Sequence, residues 1–115
     1  MIKKKLIKII YYTFITITFL SQNIKADDLF NKGKLIFMED GNCATCHTLK
    51  DANSYGNIGP NLDEIKPDIM RIIATVTNGI GVMPAYEGEL STEEIKAVAT
   101  YVSQSVNWLF LLGEG

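Results

Sequence analysis

At 115 residues the chain is long enough for one domain and too short for two. The first 26 residues hold five of its eleven basic groups (Lys3, Lys4, Lys5, Lys8 and Lys25) and none of its thirteen acidic ones. Residues 27–115 therefore carry six positive against thirteen negative side chains, a net of −7. That balance excludes a nucleic-acid binder, which needs a basic stripe, and gives no attraction to an anionic membrane surface.

Residues 1–26 set a basic head, Lys3 to Lys8, before an apolar run over 9–20, and they end on the small residue Ala26. Those are the three parts of a secretory signal peptide, and the expected site is the periplasm. The competing reading, a membrane anchor, needs roughly 20 apolar residues. This run is shorter and is diluted by Thr13, Thr16 and Thr18. The expected division is a signal peptide over 1–26, a domain over 27–105 and an apolar tail over 106–115, with no stable membrane insertion once the leader is removed. Ile24, three residues before the cut, is larger than such sites prefer, so the exact bond stays open.

In the mature chain, Asp27 and Asp28 are placed to cap a helix whose apolar positions include Leu29, Phe30, Gly33, Ile36 and Phe37. Gly33 inside it costs about 1 kcal/mol relative to Ala, a cost that a second backbone crossing closely would explain. Glu39-Asp40-Gly41-Asn42 breaks the helix. Residues 50–66, with Gly56, Gly59, Pro60 and three asparagines, read as a loop. Pro67 suits a first helical position, Ile69, Ile72, Ile73 and Val76 form an apolar stripe, and Asn78-Gly79 ends that helix. Residues 79–90 form a second loop. Ser91-Thr-Glu-Glu94 is a capping box, followed by the stripe Ile95, Val98, Ala99 and Val102. No stretch alternates as a strand should. The expectation is all-α: three main helices with long loops, too small to bury a sufficient core without a staple, metal or cofactor.

Cys43-Ala-Thr-Cys46-His47 carries the chemistry. A disulfide across two residues would close a tiny loop and stabilise little. A zinc site wants four ligands, and the chain has no further Cys or His. A thioredoxin-like pair wants βαβ context, which is missing. The spacing is that of c-type haem attachment. Two thiols two residues apart can add to the vinyl groups on one haem edge, and the histidine after the second thiol then lies beneath the iron. A second axial ligand must come from elsewhere. Met38 is tied to the attachment strip, and Met70 neighbours the stripe of the 67–78 helix, where packing explains it. Met83 sits in a glycine-rich loop before Pro84, which restricts it to extended backbone, and it is the expected sixth ligand.

These residues resemble a class I, monohaem cytochrome c: Cys43-x-x-Cys46-His47, Ile58-Gly59-Pro60-Asn61-Leu62 and Gly81-Val82-Met83-Pro84, in that order. The resemblance covers about residues 28–105. It implies one covalent haem c, with iron held by His47 and Met83, wrapped by three helices and long loops. It implies that the carbonyl of Pro60 accepts a hydrogen bond from His47, which fixes the ring and its basicity. It also implies that the first and last helices cross with Gly33 and Phe37 facing Val98 and Tyr101. Residues 55–62 and 92–103 more loosely resemble the small haem subunits paired with bacterial sulfite dehydrogenases.

The implied activity is one-electron transfer, not catalysis, between a donor dehydrogenase and an acceptor oxidase or reductase. A dedicated electron-accepting subunit of a periplasmic dehydrogenase, such as sulfite dehydrogenase, is the alternative. The acidic residues Asp63, Glu64, Glu87 and Glu89 flank the two haem loops and are candidates for a docking face, and the apolar run over 108–112 is a candidate interface.

Overall fold

A computed structural model describes residues 1–107, and the side chains of 19–24 are not among the described ones. Four helices carry the fold: α1 (Ile2–Leu35), α2 (Leu62–Ile65), α3 (Ile69–Asn78) and α4 (Thr92–Val106). The expected all-α class I cytochrome architecture holds, with α2 a single turn added to the three main helices.

In the full-length chain the first helix starts at Ile2 and runs unbroken past residue 26, so Asp27 and Asp28 lie inside it; the cap expected of them concerns a chain that begins at Asp27. No proline or glycine interrupts residues 2–32, and the hydroxyls of Thr13, Thr16 and Thr18 bond back to carbonyls three and four residues earlier. The described side chains of residues 1–26 are exposed, and burial begins at Leu29 and Phe30. Among the described residues, no helix is long and apolar enough to cross a membrane.

Helix α1 is followed by a wide π turn, Ile36–Asp40, closed by Gly41 N–H donating to the Ile36 carbonyl at 2.7 Å. Ile36 and Phe37 are almost fully buried there. The expected break at 39–42 is present, reached through this turn. Two short strands then pair antiparallel, β1 (Thr48–Leu49) and β2 (Ser54–Tyr55), with Leu49 opposite Ser54. They correct the expectation of no strand. Two residues are too few to show alternation; the Ser54 hydroxyl, bonded to both Leu49 N–H and carbonyl, holds the pair together, with Asn53 reversing the chain in the left-handed region.

At α3 the cap is Asp68, whose carboxylate accepts from Met70 N–H and Arg71 N–H, and Pro67 falls just outside the helix. Asp68 takes the N-cap because it satisfies two orphan donors there. Gly79 ends α3 at φ 71°, and the Ser91–Glu94 capping box is formed as expected.

The core lies where α1 crosses α4. Tyr101, Phe37, Ile36, Leu49 and Val98 are its largest fully buried side chains. A Cβ on Gly33 would strike the Ala97 carbonyl and the Tyr101 Cβ, so the helix backbones touch there. Gly33 meets Ala97 and Tyr101, four residues apart on one face of α4, and Val98 is buried in the same core as Phe37. Tyr101 stacks edge-on against Phe30 and Phe37, with centroids 5.0 and 5.8 Å away. Its hydroxyl donates to Asp51 at 2.7 Å, and Lys34 pairs with the same carboxylate at 3.0 Å. The α1–α4 crossing is thereby tied to the segment just after His47.

Candidate functional site

The π turn delivers the chain to a 3-10 turn, Cys43–Thr45. Asn42, left-handed at φ 50°, starts it, and its side-chain oxygen accepts from the Thr45 hydroxyl at 2.6 Å. Cys46 N–H and His47 N–H both donate to the Cys43 carbonyl, at 3.1 and 3.0 Å. Both thiols and the imidazole therefore rise from one tight turn. The thiols are free and half-buried. Burial pushes the Cys43 thiol up to about 11, partly opposed by a backbone hydrogen bond and reinforced by Cys46. Among the described residues no three His, Cys, Asp or Glu gather as a metal site.

His47 is oriented by the loop that follows. Its Nδ1 lies 2.8 Å from the Pro60 carbonyl. A carbonyl only accepts, so Nδ1 carries the proton and Nε2 is left with its lone pair. Gly59 N–H donates to the Cys46 carbonyl at 2.8 Å, pinning this loop to the attachment turn. A Cβ on Gly59 would fall 2.5 Å from the imidazole Cε1, and one on Gly56 would strike the backbone of 45–47. The glycines are present because the loop lies flat against the histidine and its turn.

The three methionines beyond residue 26 differ in setting. Met70 is 67% exposed and Met38 41%, so the packing role expected of Met70 is absent. Its place on α3 faces away from the buried Ile72 and Val76. Met83 is half-buried and packs against the core cluster, along with Cys43, Ala44 and Tyr86. Its backbone forms a tight reversal with Ile80, Met83 N–H to Ile80 carbonyl 2.9 Å and Ile80 N–H to Met83 carbonyl 3.1 Å, allowed by Gly81 at φ 55°.

Tyr86 was not singled out by sequence reasoning. Its hydroxyl donates to the Gly41 carbonyl at 2.7 Å, joining the Met83 loop to the end of the π turn two residues before Cys43. Burial raises the phenol above its ordinary value, with further contributions from Cys43, Cys46 and Glu89. A tyrosine three residues after Met83 in a Gly/Pro loop was the available signal; its partner 45 residues away was not.

Of the proposed acidic docking residues, Asp63 is already engaged, accepting from Lys50 N–H at 2.7 Å, whereas Glu87 and Glu89 are exposed. The apolar run over 108–112 lies outside the described residues.

The comparisons with known proteins agree with this constellation. Residues 28–102 match a family model described as cytochrome c oxidase, cbb3-type, subunit III. Cytochrome c6 of Microcystis aeruginosa is 40% identical over 74 residues, covering 53% of this chain and 80% of that cytochrome. The cbb3-type cytochrome c oxidase subunit FixP of Bradyrhizobium sp. (strain ORS 278) is 47% identical over 78 residues, but the chain spans only 25% of it. The crystal structure of the c-type cytochrome SorU from Sinorhizobium meliloti matches with a TM-score of 0.66 and 54% identity, over 70% of this chain and 93% of SorU. The chain belongs to the family that the matched model describes, within the monohaem class I cytochromes c. It is a haem c electron-transfer protein, not an enzyme, and it works with redox partner proteins.

The residues present fit that cofactor. Two free thiols and an imidazole with a free Nε2 sit on one turn, and the two loops bearing Pro60 and Met83 present the apolar side chains Ile58, Ile80 and Val82, 64%, 69% and 87% exposed. Side chains so apolar on the loops flanking the attachment turn suit a large apolar group packed between them.

Proposed function

We propose that the chain is an exported, periplasmic one-electron carrier whose haem c is bonded through Cys43 and Cys46, with His47 and Met83 as the axial ligands of the iron. The observation that carries this is the single turn on which both thiols and His47 rise, with Nδ1 fixed by the Pro60 carbonyl. Bound there, the haem supplies a one-electron couple at its iron. The Pro60 carbonyl selects the His47 tautomer, keeps Nε2 directed as a ligand and raises its basicity. Pro84 holds Met83 extended, and the thioether favours the reduced state relative to a second histidine. With both axial positions taken by the chain's own side chains, none remains for a substrate.

Residues 1–26 act as the signal peptide in this reading, with the domain over 27–105 and the tail over 106–115. Cutting after Ala26 shortens α1 to its buried part and leaves Asp27 and Asp28 at the new N-terminus, where carboxylates suit the helix dipole. A second reading makes the chain the dedicated acceptor of a periplasmic dehydrogenase, such as sulfite dehydrogenase. The sequence resemblance at 55–62 and 92–103 favours it.

The test is optical. Met83→Ala should abolish the Fe–S(Met) absorbance band and let carbon monoxide bind the reduced protein, with haem attachment intact, while Met70→Ala should change neither. The reverse pattern would reassign the ligand. Mass spectrometry of the exported protein should give a chain beginning at Asp27. Stable co-purification with one dehydrogenase, in place of transient encounters with several partners, would favour the second reading.

A further inference from the structure

The loop that carries Met83 is fastened mostly to α3. Tyr86 N–H donates to the Val76 carbonyl at 2.9 Å, and Glu87 N–H to the Thr77 carbonyl at 3.3 Å. Those bonds set the loop on its own helix and leave its distance from the attachment turn undetermined. Among the described residues, one hydrogen bond crosses from residues 79–90 to residues 36–49: Tyr86 OH to the Gly41 carbonyl, 2.7 Å.

The acceptor exists for a local reason. The π turn ends when Gly41 N–H reaches back five residues to Ile36, and the chain then turns left-handed at Asn42. The Gly41 carbonyl is thus left at a helix end with no backbone partner, as such carbonyls are. Gly41 is itself crowded; a Cβ there would lie 3.1 Å from the Cys43 Sγ. The carbonyl that Tyr86 grips therefore moves with the first attachment cysteine.

We propose that the Tyr86 hydroxyl is the positioning group that holds the Met83 loop closed over the Cys43–His47 turn, and so sets how readily the sixth iron position opens. This rests on Met83 being the sixth ligand. Removing the hydroxyl leaves the ring packing in place, frees the loop from the turn and strands the Gly41 carbonyl. A net hydrogen bond of ordinary strength corresponds to a population shift of roughly twofold to tenfold. The open form, in which Met83 is off the iron, should rise by that factor.

The experiment measures imidazole binding to the oxidised holoprotein in four forms: wild type, Tyr86→Phe, Tyr101→Phe and Met83→Ala. Tyr101→Phe removes a hydroxyl bond of equal length, to Asp51, from the helix crossing instead of the loop. Tyr86→Phe should bind imidazole about twofold to tenfold more tightly and keep the thioether band at saturation of the closed form. Its reduction potential should also fall, because the thioether favours the reduced state and would be bound for less of the time. Tyr101→Phe should lower the unfolding temperature with imidazole affinity unchanged. Wild-type affinity and potential in Tyr86→Phe would overturn the inference, as would an equal rise in both phenylalanine variants, which would show general loosening. If Met83→Ala itself failed to raise imidazole affinity, the ligand assignment would fall, and the positioning role with it. If Met83→Ala raised it and Tyr86→Phe did not, only the positioning role would fall.

Discussion

Gly33→Ala tests the α1–α4 crossing on which the site is mounted. The added methyl would strike the Ala97 carbonyl oxygen and lie 2.7 Å from both the Ala97 carbonyl carbon and the Tyr101 Cβ. Carbon atoms pack best about 3.5–4.0 Å apart, so the helices must separate by about 1 Å. The collision is with backbone and a Cβ, and no rotamer change relieves it. Ala gains about 1 kcal/mol over Gly in a helix. Overpacking costs about 1–3 kcal/mol. Separation also weakens the Phe30–Tyr101 and Phe37–Tyr101 pairs, each worth about 0.5–1.5 kcal/mol. The net expectation is a loss of about 2 kcal/mol, or an unfolding temperature lower by roughly 8–16 °C for a domain of this size. Thermal unfolding of the holoprotein by circular dichroism measures it. Asn31→Ala, exposed and two residues earlier, is the control for helix propensity alone and should be neutral or slightly stabilising. A Gly33→Ala protein as stable as wild type would refute the close crossing.

Three further outcomes follow from the same structure. Cys43→Ala or Cys46→Ala should yield little folded holoprotein, since the core without its cofactor is small; a stable, haem-free helical domain from either would contradict this, and haem content per chain with helix content is the readout. Burial works to raise the Asp51 carboxyl, but hydrogen bonds from Tyr101 and Lys34 and the Lys34 charge outweigh it, so its folded value lies below the ordinary 3.8. Its contribution is therefore present above about pH 4 and lost as pH falls through that lower value, so the stability gap between wild type and Asp51→Asn should narrow below about pH 4; a constant gap from pH 7 to pH 3 would contradict it. Electron transfer to a partner with a basic face should slow steeply with added salt, and Glu87→Gln or Glu89→Gln, both exposed, should weaken that dependence. Stopped-flow rates across ionic strength that stay flat would point to apolar docking.

Much of this was legible in the sequence where a local rule decides the geometry. The Ser91 capping box, the Asn78-Gly79 stop and the cost of Gly33 each depend on neighbours in sequence or on a single close contact, and each was read correctly. Asp27 and Asp28 are caps only in a chain that begins there; with residues 1–26 attached, α1 starts at Ile2, because no proline or glycine in that stretch interrupts a helix. Pro67 and Asp68 compete for the same helix start, and the side chain that satisfies two donors took it. The π turn, the two-residue strands and the Lys34–Asp51–Tyr101 and Tyr86–Gly41 ties were not legible. The two ties join groups 50 and 45 residues apart, and the turn and strands are too short to show a periodicity. The attachment motif was the easiest of all, because its chemistry is confined to five consecutive residues.

The central claim is a haem bonded to this chain through Cys43 and Cys46. A pyridine haemochrome spectrum of the purified protein, taken after extraction with acidified organic solvent, tests it most directly. One haem per chain should stay with the protein and show the spectrum of a haem with both vinyl groups saturated by thioether bonds. Haem that leaves with the solvent and shows the spectrum of unmodified vinyl groups would contradict it.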